Sequence, residues 1–144
     1  MEQHENAIII TNIDKYDITF HNGCMIIRRK QKNYDEFLKN NFSKSQLLNV
    51  KINDNELKID KYQTLLKYIY NYIDDSEIIK YNTKINIVDG ECNDKGFQYL
   101  KGLNISFQGI DSNKCLDEII NMCKCYGVII SLKIKLNNDT IIDI

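Results

Sequence analysis

Apolar and polar residues alternate in three pairs of short segments, and a turn rich in asparagine joins the two segments of each pair. Alternation of this kind is typical of a half-buried β-strand, and asparagine in the turn favours a hairpin. The pairs are residues 16–20 and 24–29, residues 47–52 and 56–59, and residues 132–136 and 140–144. The pattern therefore predicts three antiparallel hairpins.

Apolar residues at helical spacing follow the first two hairpins. We expect a short helix over residues 33–42 and a longer one over residues 61–73. The chain would then contain two ββα units, over residues 16–42 and 47–73. Internal duplication is one interpretation. The alternative is that short hairpins in an asparagine-rich chain resemble one another by chance.

The middle of the chain has a different order. Strands are expected over residues 84–88, 104–110 and 128–136, with a weak helix over 91–103 and a clear one over 111–126 that Gly127 ends. An order of strand, helix, strand favours parallel neighbours joined by crossovers. Because residues 128–136 alternate, one face of the sheet is expected to contact water.

Together these elements predict a protein of the α+β or α/β class. We expect a single domain over residues 1–144, built as a two-layer sandwich with a mixed sheet, antiparallel hairpins toward both ends, and three to four helices mainly on one face. Residues 7–13 add a short apolar strand. The polar residues 1–6 are expected to be flexible.

Charge and hydropathy exclude several classes of protein. The 19 basic and 20 acidic residues give a net charge of −1, which argues against a polybasic nucleic-acid coat. No apolar run approaches the roughly 20 residues of a membrane helix, and residues 1–30 lack the pattern of a signal peptide. We therefore expect a protein that does not bind membranes.

The residue usage indicates a genome rich in A and T. The chain has 25 Ile, 18 Asn and 17 Lys, but one Ala, two Arg and no Pro or Trp. Folding does not demand this set, because alanine is the best helix former. It is typical of large viruses of protists or insects, poxviruses, low-GC bacteria with their phages, and AT-rich protists.

Five cysteines suggest a reducing compartment, because an odd number without a secretory signal does not fit a disulfide framework. Cys115, Cys123 and Cys125 could form a thiolate metal site, but they lack the paired short spacings of zinc sites. We expect Cys115 and Cys123 to lie in the apolar stripe of their helix, with Cys125 pointing elsewhere.

Acidic residues follow two of the predicted strands. If these strands are parallel, Asp89, Glu91 and Asp111 lie at one edge of the sheet, where carboxylates could hold Mg²⁺ for phosphoryl transfer or nuclease chemistry. The alternative is that an aspartate at a helix start accepts hydrogen bonds from backbone N–H groups.

A basic segment is the third candidate. It contains Arg28, Arg29, Lys30 and Lys32 and could bind the phosphates of a nucleic acid, although a strand that ends in solvent explains it equally well. The two histidines, His4 and His21, are expected to be exposed. No cofactor is expected.

Tyrosines cluster on the predicted helix at 61–73. Tyr68 and Tyr72 lie off the apolar stripe and four residues apart, so they share an outer face. Tyrosine suits protein interfaces, although the pair could also shield the edges of the helix. We therefore expect a small cytoplasmic protein-interaction module without catalytic chemistry, an accessory protein of a virus or mobile element. It would bind a protein partner or itself through Tyr68 and Tyr72 or through an open sheet edge at residues 140–144.

Overall fold

The computed structural model describes residues 16–29 and 33–144, except for the side chains at positions 16, 17, 28 and 29. The chain divides into two compact units, Met1–Lys32 and Asn33–Ile144. A single domain over the whole chain therefore stays a prediction. The expected strand at 7–13 and the expected flexible segment 1–6 lie outside the described residues.

The described part of the first unit, residues 16–29, forms a β-hairpin. Strands β1 (Tyr16–His21) and β2 (Cys24–Arg29) pair antiparallel, with His21 opposite Cys24. Asn22 and Gly23 connect them with φ angles of 50° and 79°. Asparagine and glycine tolerate this left-handed conformation best, which is why the dipeptide closes a two-residue turn here.

The second unit is built on a four-stranded antiparallel sheet in the order β4-β3-β8-β9. Its strands are β3 (Gln46–Ile52), β4 (Asn55–Leu57), β8 (Ile130–Lys135) and β9 (Ile141–Asp143). Buried and exposed residues alternate along β8, so one face of the sheet covers the core and the other contacts water. The wet face and the second and third hairpins are confirmed.

Two long helices supply most of the helical side of the core. Helix α2 (Tyr62–Ile73) ends at Asp74, and α4 (Ser112–Tyr126) ends at Gly127; both terminal residues are left-handed. The helices contact each other, and their buried residues form one cluster with the buried side of the sheet. Short helix α1 (Tyr34–Phe37) is capped by Asn33 and is shorter than the sequence predicts.

Helix α3 (Ser76–Asn82) is not predicted by the sequence pattern. Asp75 begins it, since its carboxylate accepts hydrogen bonds from the backbone N–H groups of Glu77 and Ile78. The helix has seven residues and one fully buried side chain, Ile79. A helix this short presents too little apolar periodicity to be recognised.

The middle of the chain forms an antiparallel sheet in the order β5-β7-β6. Its strands are β5 (Ile87–Asp89), β6 (Phe97–Leu100) and β7 (Ile105–Gln108). The helix expected over 91–103 is wrong. Gly96 has a φ of 89°, which a helix cannot contain, and Phe97 and Tyr99 alternate with Gln98 in a strand that pairs back on β7.

The expectation of parallel neighbours is therefore wrong as well, because without a crossover helix β5 and β7 run antiparallel. Every strand pair among the described residues is antiparallel. The predicted combination of helices with antiparallel hairpins is confirmed, and the fold belongs to the α+β class. None of the helices in the described ranges is long and apolar enough to cross a membrane.

Candidate interaction surface

Tyr68 and Tyr72 lie on the solvent-exposed flank of α2. The helix turns its apolar stripe, Leu65, Leu66, Ile69 and Ile73, into the core. Because side chains four residues apart are neighbours on a helix, Tyr68 and Tyr72 meet outside that stripe. Of their surfaces, 36% and 47% remain exposed. The expectation that they share an outer face is confirmed.

The two rings stack on each other. Their centroids are 6.4 Å apart and their planes differ by 24°. An offset aromatic pair of this kind is favourable beyond the area that it buries. We name Tyr68 and Tyr72 together the tyrosine pair.

Asn53 fixes one member of the tyrosine pair to the sheet. Its side-chain amide donates a hydrogen bond of 2.9 Å to the hydroxyl of Tyr72. The amide oxygen of Asn53 accepts from the backbone N–H of Ile129 at 2.9 Å, and its backbone N–H donates to the carbonyl of Ile129 at 2.7 Å. The turn between β3 and β4 thus holds Tyr72, which lowers the entropy that binding would cost.

Sequence reasoning missed the buried carboxylate of Glu118. It lies on α4 with no exposed surface, and Tyr70 and Thr83 each donate a hydrogen bond of 2.5 Å to its Oε2. Burial and, next, the neighbouring carboxylate raise the pKa of Tyr70 far above its ordinary value. The phenol therefore stays protonated and serves as a donor.

The other oxygen of Glu118 is also satisfied. Its Oε1 accepts from the backbone N–H of Lys84 at 3.0 Å and from the side-chain amide of Asn121 at 3.3 Å. A buried carboxylate is tolerated when donors surround it in this way. Glu118 therefore joins α2, α4 and the end of α3, and all its contacts are structural. The sequence offered one signal for this buried carboxylate: a charged residue, Glu118, lies between Leu116 and Ile119 of the apolar stripe.

The structure does not bring the candidate metal ligands together. Asp89 lies at the end of β5 opposite Ile105, the first residue of β7, whereas Asp111 follows the other end of β7. The antiparallel pairing separates the two carboxylates along the strand. Within residues 16–29 and 33–144, no three His, Cys, Asp or Glu side chains are grouped closely enough to hold a metal ion.

Each of these two aspartates has a local structural contact instead. Asp89 binds the ammonium of Lys80 at 2.7 Å, and Asp89 and then Glu77 raise the pKa of Lys80 to about 12. Asp111 caps α4 by accepting from the backbone N–H of Lys114 at 2.9 Å. The capping interpretation of Asp111 is confirmed, and Glu91 is an exposed residue beyond β5.

The cysteines behave as the sequence predicts. Cys115 and Cys123 are fully buried in α4, and Cys125 is exposed. Burial raises the pKa of both core thiols to about 12. They are therefore neutral at physiological pH and act as small apolar side chains.

The basic candidate lies at the boundary of what the structure describes. The backbone of Arg28 and Arg29 belongs to β2, opposite Asp17 and Tyr16, but their side chains, together with Lys30 and Lys32, lie outside the described residues. His21 is exposed at the end of β1.

Strand β9 forms one edge of the four-stranded sheet, as expected for the C-terminal segment. Ile144 and Leu132 exchange hydrogen bonds of 3.0 and 3.4 Å, and Thr140 accepts one of 2.8 Å from Leu136. In an antiparallel pair, alternate residues direct their backbone groups away from the partner. Ile141 and Asp143 therefore direct theirs toward the edge, and 56% of Ile141 is exposed.

A shallow groove of about 440 Å³ crosses the wet face of this sheet. It is polar, and its lining contains charges of both signs: Lys51, Asp54, Lys133 and Asp143, with Lys133 opposite Asp143 across the strands. Two charges of each sign leave no excess of one charge that would attract an ionic substrate.

No protein-family model, curated protein or solved structure matches this chain. The tyrosine pair therefore has to be interpreted from its own geometry.

Proposed function

We propose that this chain is a small protein-interaction module that binds through the tyrosine pair. The observation that supports the proposal is that two exposed tyrosines stack on each other and that Asn53 donates a hydrogen bond to the hydroxyl of Tyr72. Tyrosine is enriched where proteins bind one another, because it offers a large apolar ring and a polar hydroxyl. The pair is the binding surface, and no catalytic chemistry is proposed.

Preorganisation is the physical argument for this role. Binding usually costs about 0.5–1.5 kcal/mol for each side chain that it immobilises. Tyr72 is already restrained by a hydrogen bond, and Tyr68 is restrained by stacking on it. A partner that covers both rings therefore gains apolar contact at a reduced cost in entropy.

The edge of β9 is a second contact within the same function. An extended segment of a partner can add a strand to such an edge through main-chain hydrogen bonds. The outward backbone groups of Ile141 and Asp143 offer two donors and two acceptors for it. Because the strand has three residues, this edge would support binding at the tyrosine pair and would not replace it.

The biological setting is part of the proposal. A residue usage typical of genomes rich in A and T supports an accessory protein of a virus or mobile element, and the odd number of cysteines supports a cytoplasmic location. The partner is a protein, either a second copy of the chain or a different one.

Site-specific photocross-linking in the source cells tests the function. The cross-linking residue p-benzoylphenylalanine replaces Tyr68 in one variant and Tyr81, which is 89% exposed on α3, in the control. We expect a discrete cross-linked species from position 68 that position 81 does not give. Equal cross-linking from both positions, or none from position 68, would overturn the proposal.

A further inference from the structure

We propose that two copies of this chain associate by pairing their β9 strands antiparallel across a twofold axis. This inference rests on the proposed function, in which the edge of β9 is a second contact, and it names the partner at that contact as a second copy of the chain. The sheets of the two copies would then form one continuous sheet. The backbone groups, the charges and the apolar side chains of β9 favour the same register.

The outward backbone groups of β9 are complementary to themselves. The strand is the last in the order of its sheet, and Ile141 and Asp143 direct their N–H and C=O groups away from β8. When Ile142 lies opposite Ile142 of the second copy, Ile141 of each chain is opposite Asp143 of the other. Each of these two pairs exchanges two hydrogen bonds. The pairing therefore satisfies every outward backbone group of both strands.

Charge disfavours the two neighbouring registers that also bring outward groups together. With Asp143 at the centre, its carboxylate is opposite the same carboxylate of the second copy. With Ile141 at the centre, Asp143 is opposite Asp139, a turn residue with a φ of 66° that does not continue the strand. Like charges directly opposite each other destabilise an antiparallel pair. In the register centred on Ile142, Asp143 is opposite the uncharged side chain of Ile141.

Apolar contacts on the core side favour the register centred on Ile142. Side chains alternate along β9, so Ile142 and Ile144 are half-buried and pack against the core, whereas Ile141 is exposed on the wet face. The two Ile142 residues form a pair without mutual hydrogen bonds, in which the Cα atoms approach to about 4.5 Å and the side chains lie closest. Pairing would therefore extend the apolar layer beneath the sheet from one copy to the other.

A second copy is favoured over an unrelated strand because the edge supplies its own complement. An unrelated strand would have to present an uncharged residue opposite Asp143 in a matching register, whereas the chain itself carries Ile141 there. Twofold pairing uses the same surface on both copies and closes at a dimer. Because β9 has three residues, the contact is small, and we expect a reversible dimer with a Kd on the order of 100 µM.

Sedimentation velocity of the full-length protein tests the association at concentrations well below and well above this Kd. We expect a reversible equilibrium between monomer and dimer. Amide hydrogen exchange followed by NMR then locates the contact. The backbone N–H groups of Ile141 and Asp143 should become protected as the protein is concentrated, whereas those of β4, at the other edge of the sheet, should not change.

Charge variants at position 141 test the register. Lysine would face Asp143 of the second copy, so Ile141→Lys should tighten the dimer about threefold or more and Ile141→Glu should weaken it by a similar factor. Within one chain, position 141 is opposite Lys135, so the stability of the monomer should change in the opposite direction. The controls Tyr81→Lys and Tyr81→Glu make a similar change in net charge at a position that is 89% exposed on α3, and should leave the dimer unchanged.

Four results would overturn the inference: a monomer at every concentration, species larger than a dimer, protection at β4 in place of β9, or equal effects of lysine and glutamate at position 141. If cross-linking from position 68 persists in any of these cases, the interaction function stands and the second copy at β9 is wrong. If the dimer forms through β9 but position 68 gives no cross-link, the β9 pairing stands and binding through the tyrosine pair is wrong.

Discussion

The side-chain amide of Asn53 donates a 2.9 Å hydrogen bond to the hydroxyl of Tyr72 and joins the β3–β4 turn to α2. The same side chain accepts from the backbone N–H of Ile129 at 2.9 Å, and the φ of Asn53 is 49°. One residue therefore closes a turn, links two strands and orients the candidate binding surface.

Asn53→Ala removes both side-chain hydrogen bonds and places alanine in a left-handed conformation. We expect the free energy of unfolding to fall by about 2–3 kcal/mol in urea denaturation. Tyr72→Phe removes the bond to Asn53 alone and should cost about 1 kcal/mol or less. Equal losses in the two variants would show that Asn53 does not stabilise the turn beyond its contact with Tyr72.

Glu118→Gln places an amide NH₂ among the four donors that surround the carboxylate. One or more donors then lose their acceptor inside the core, and the free energy of unfolding should fall by about 2–4 kcal/mol. The matched control is Asp117→Asn on the same helix, which breaks an exposed 3.4 Å ion pair with Lys84 and should cost less than about 1 kcal/mol. Similar losses would contradict the structural role of Glu118.

Stability should fall at alkaline pH because of the core thiols. Unfolded cysteines ionise near their ordinary pKa of 9.0, but burial raises the pKa of Cys115 and Cys123 to about 12. Their contribution is therefore fully present below about pH 9 and is lost as the pH rises toward 12. Each thiol loses about 1.4 kcal/mol per pH unit above 9, so two thiols lose about 2–3 kcal/mol by about pH 10.

The measurement is the free energy of unfolding at several pH values in reducing buffer. Cys115→Ala with Cys123→Ala should lower stability at neutral pH through the cavities it leaves, but should flatten the decline from about pH 9 to about pH 10. Cys125→Ala, at an exposed position, is the control and should keep the wild-type slope. An unchanged slope in the core variant would contradict the account.

Gly109 tests the close approach of two loops. A Cβ at this position would lie 3.1 Å from the carbonyl oxygen of Gly96 and 3.2 Å from the side-chain amide of Gln63. Gly109→Ala should destabilise the protein by about 1–2 kcal/mol, because a backbone atom cannot move away easily. Gly102→Ala, with open space around its Cβ, should cost less. A neutral effect at Gly109 would show that the loops separate freely.

Local signals predicted the hairpins and the two long helices. Asn22-Gly23 and Gly127 adopt the left-handed conformation that their turn and helix end require, and the apolar stripes of α2 and α4 are long enough to identify. These features depend on neighbours in sequence. The pattern of short apolar segments was therefore enough to predict the type of these elements and the water-facing side of the four-stranded sheet.

The segment around β6 shows where the apolar pattern misled. Phe97 and Leu100 have helical spacing, but Gly96 breaks a helix, and the segment pairs as a strand with β7, 5 to 11 residues further along the chain. The position of Glu118 among Tyr70, Thr83 and Lys84 likewise depends on residues 34 to 48 positions away. The charged residue beside the apolar stripe of α4 is visible in the sequence, but the donors that surround it are not. The shared outer face of Tyr68 and Tyr72 could be predicted, because the two residues lie four positions apart within one helix.

The most direct test of the interaction role is affinity capture from one cell extract, with the wild-type chain or the Tyr68→Ala/Tyr72→Ala variant as the bait. Quantitative mass spectrometry measures each protein that is captured. Loss of two interface tyrosines should lower the captured amount of one partner protein, or of a second copy of the chain, by about tenfold or more. The Tyr81→Ala control should capture the partner as well as the wild type does. The melting temperature of the double variant should lie within a few degrees of that of the wild type. Equal retention by the double variant would contradict the account, as would a large loss of its thermal stability.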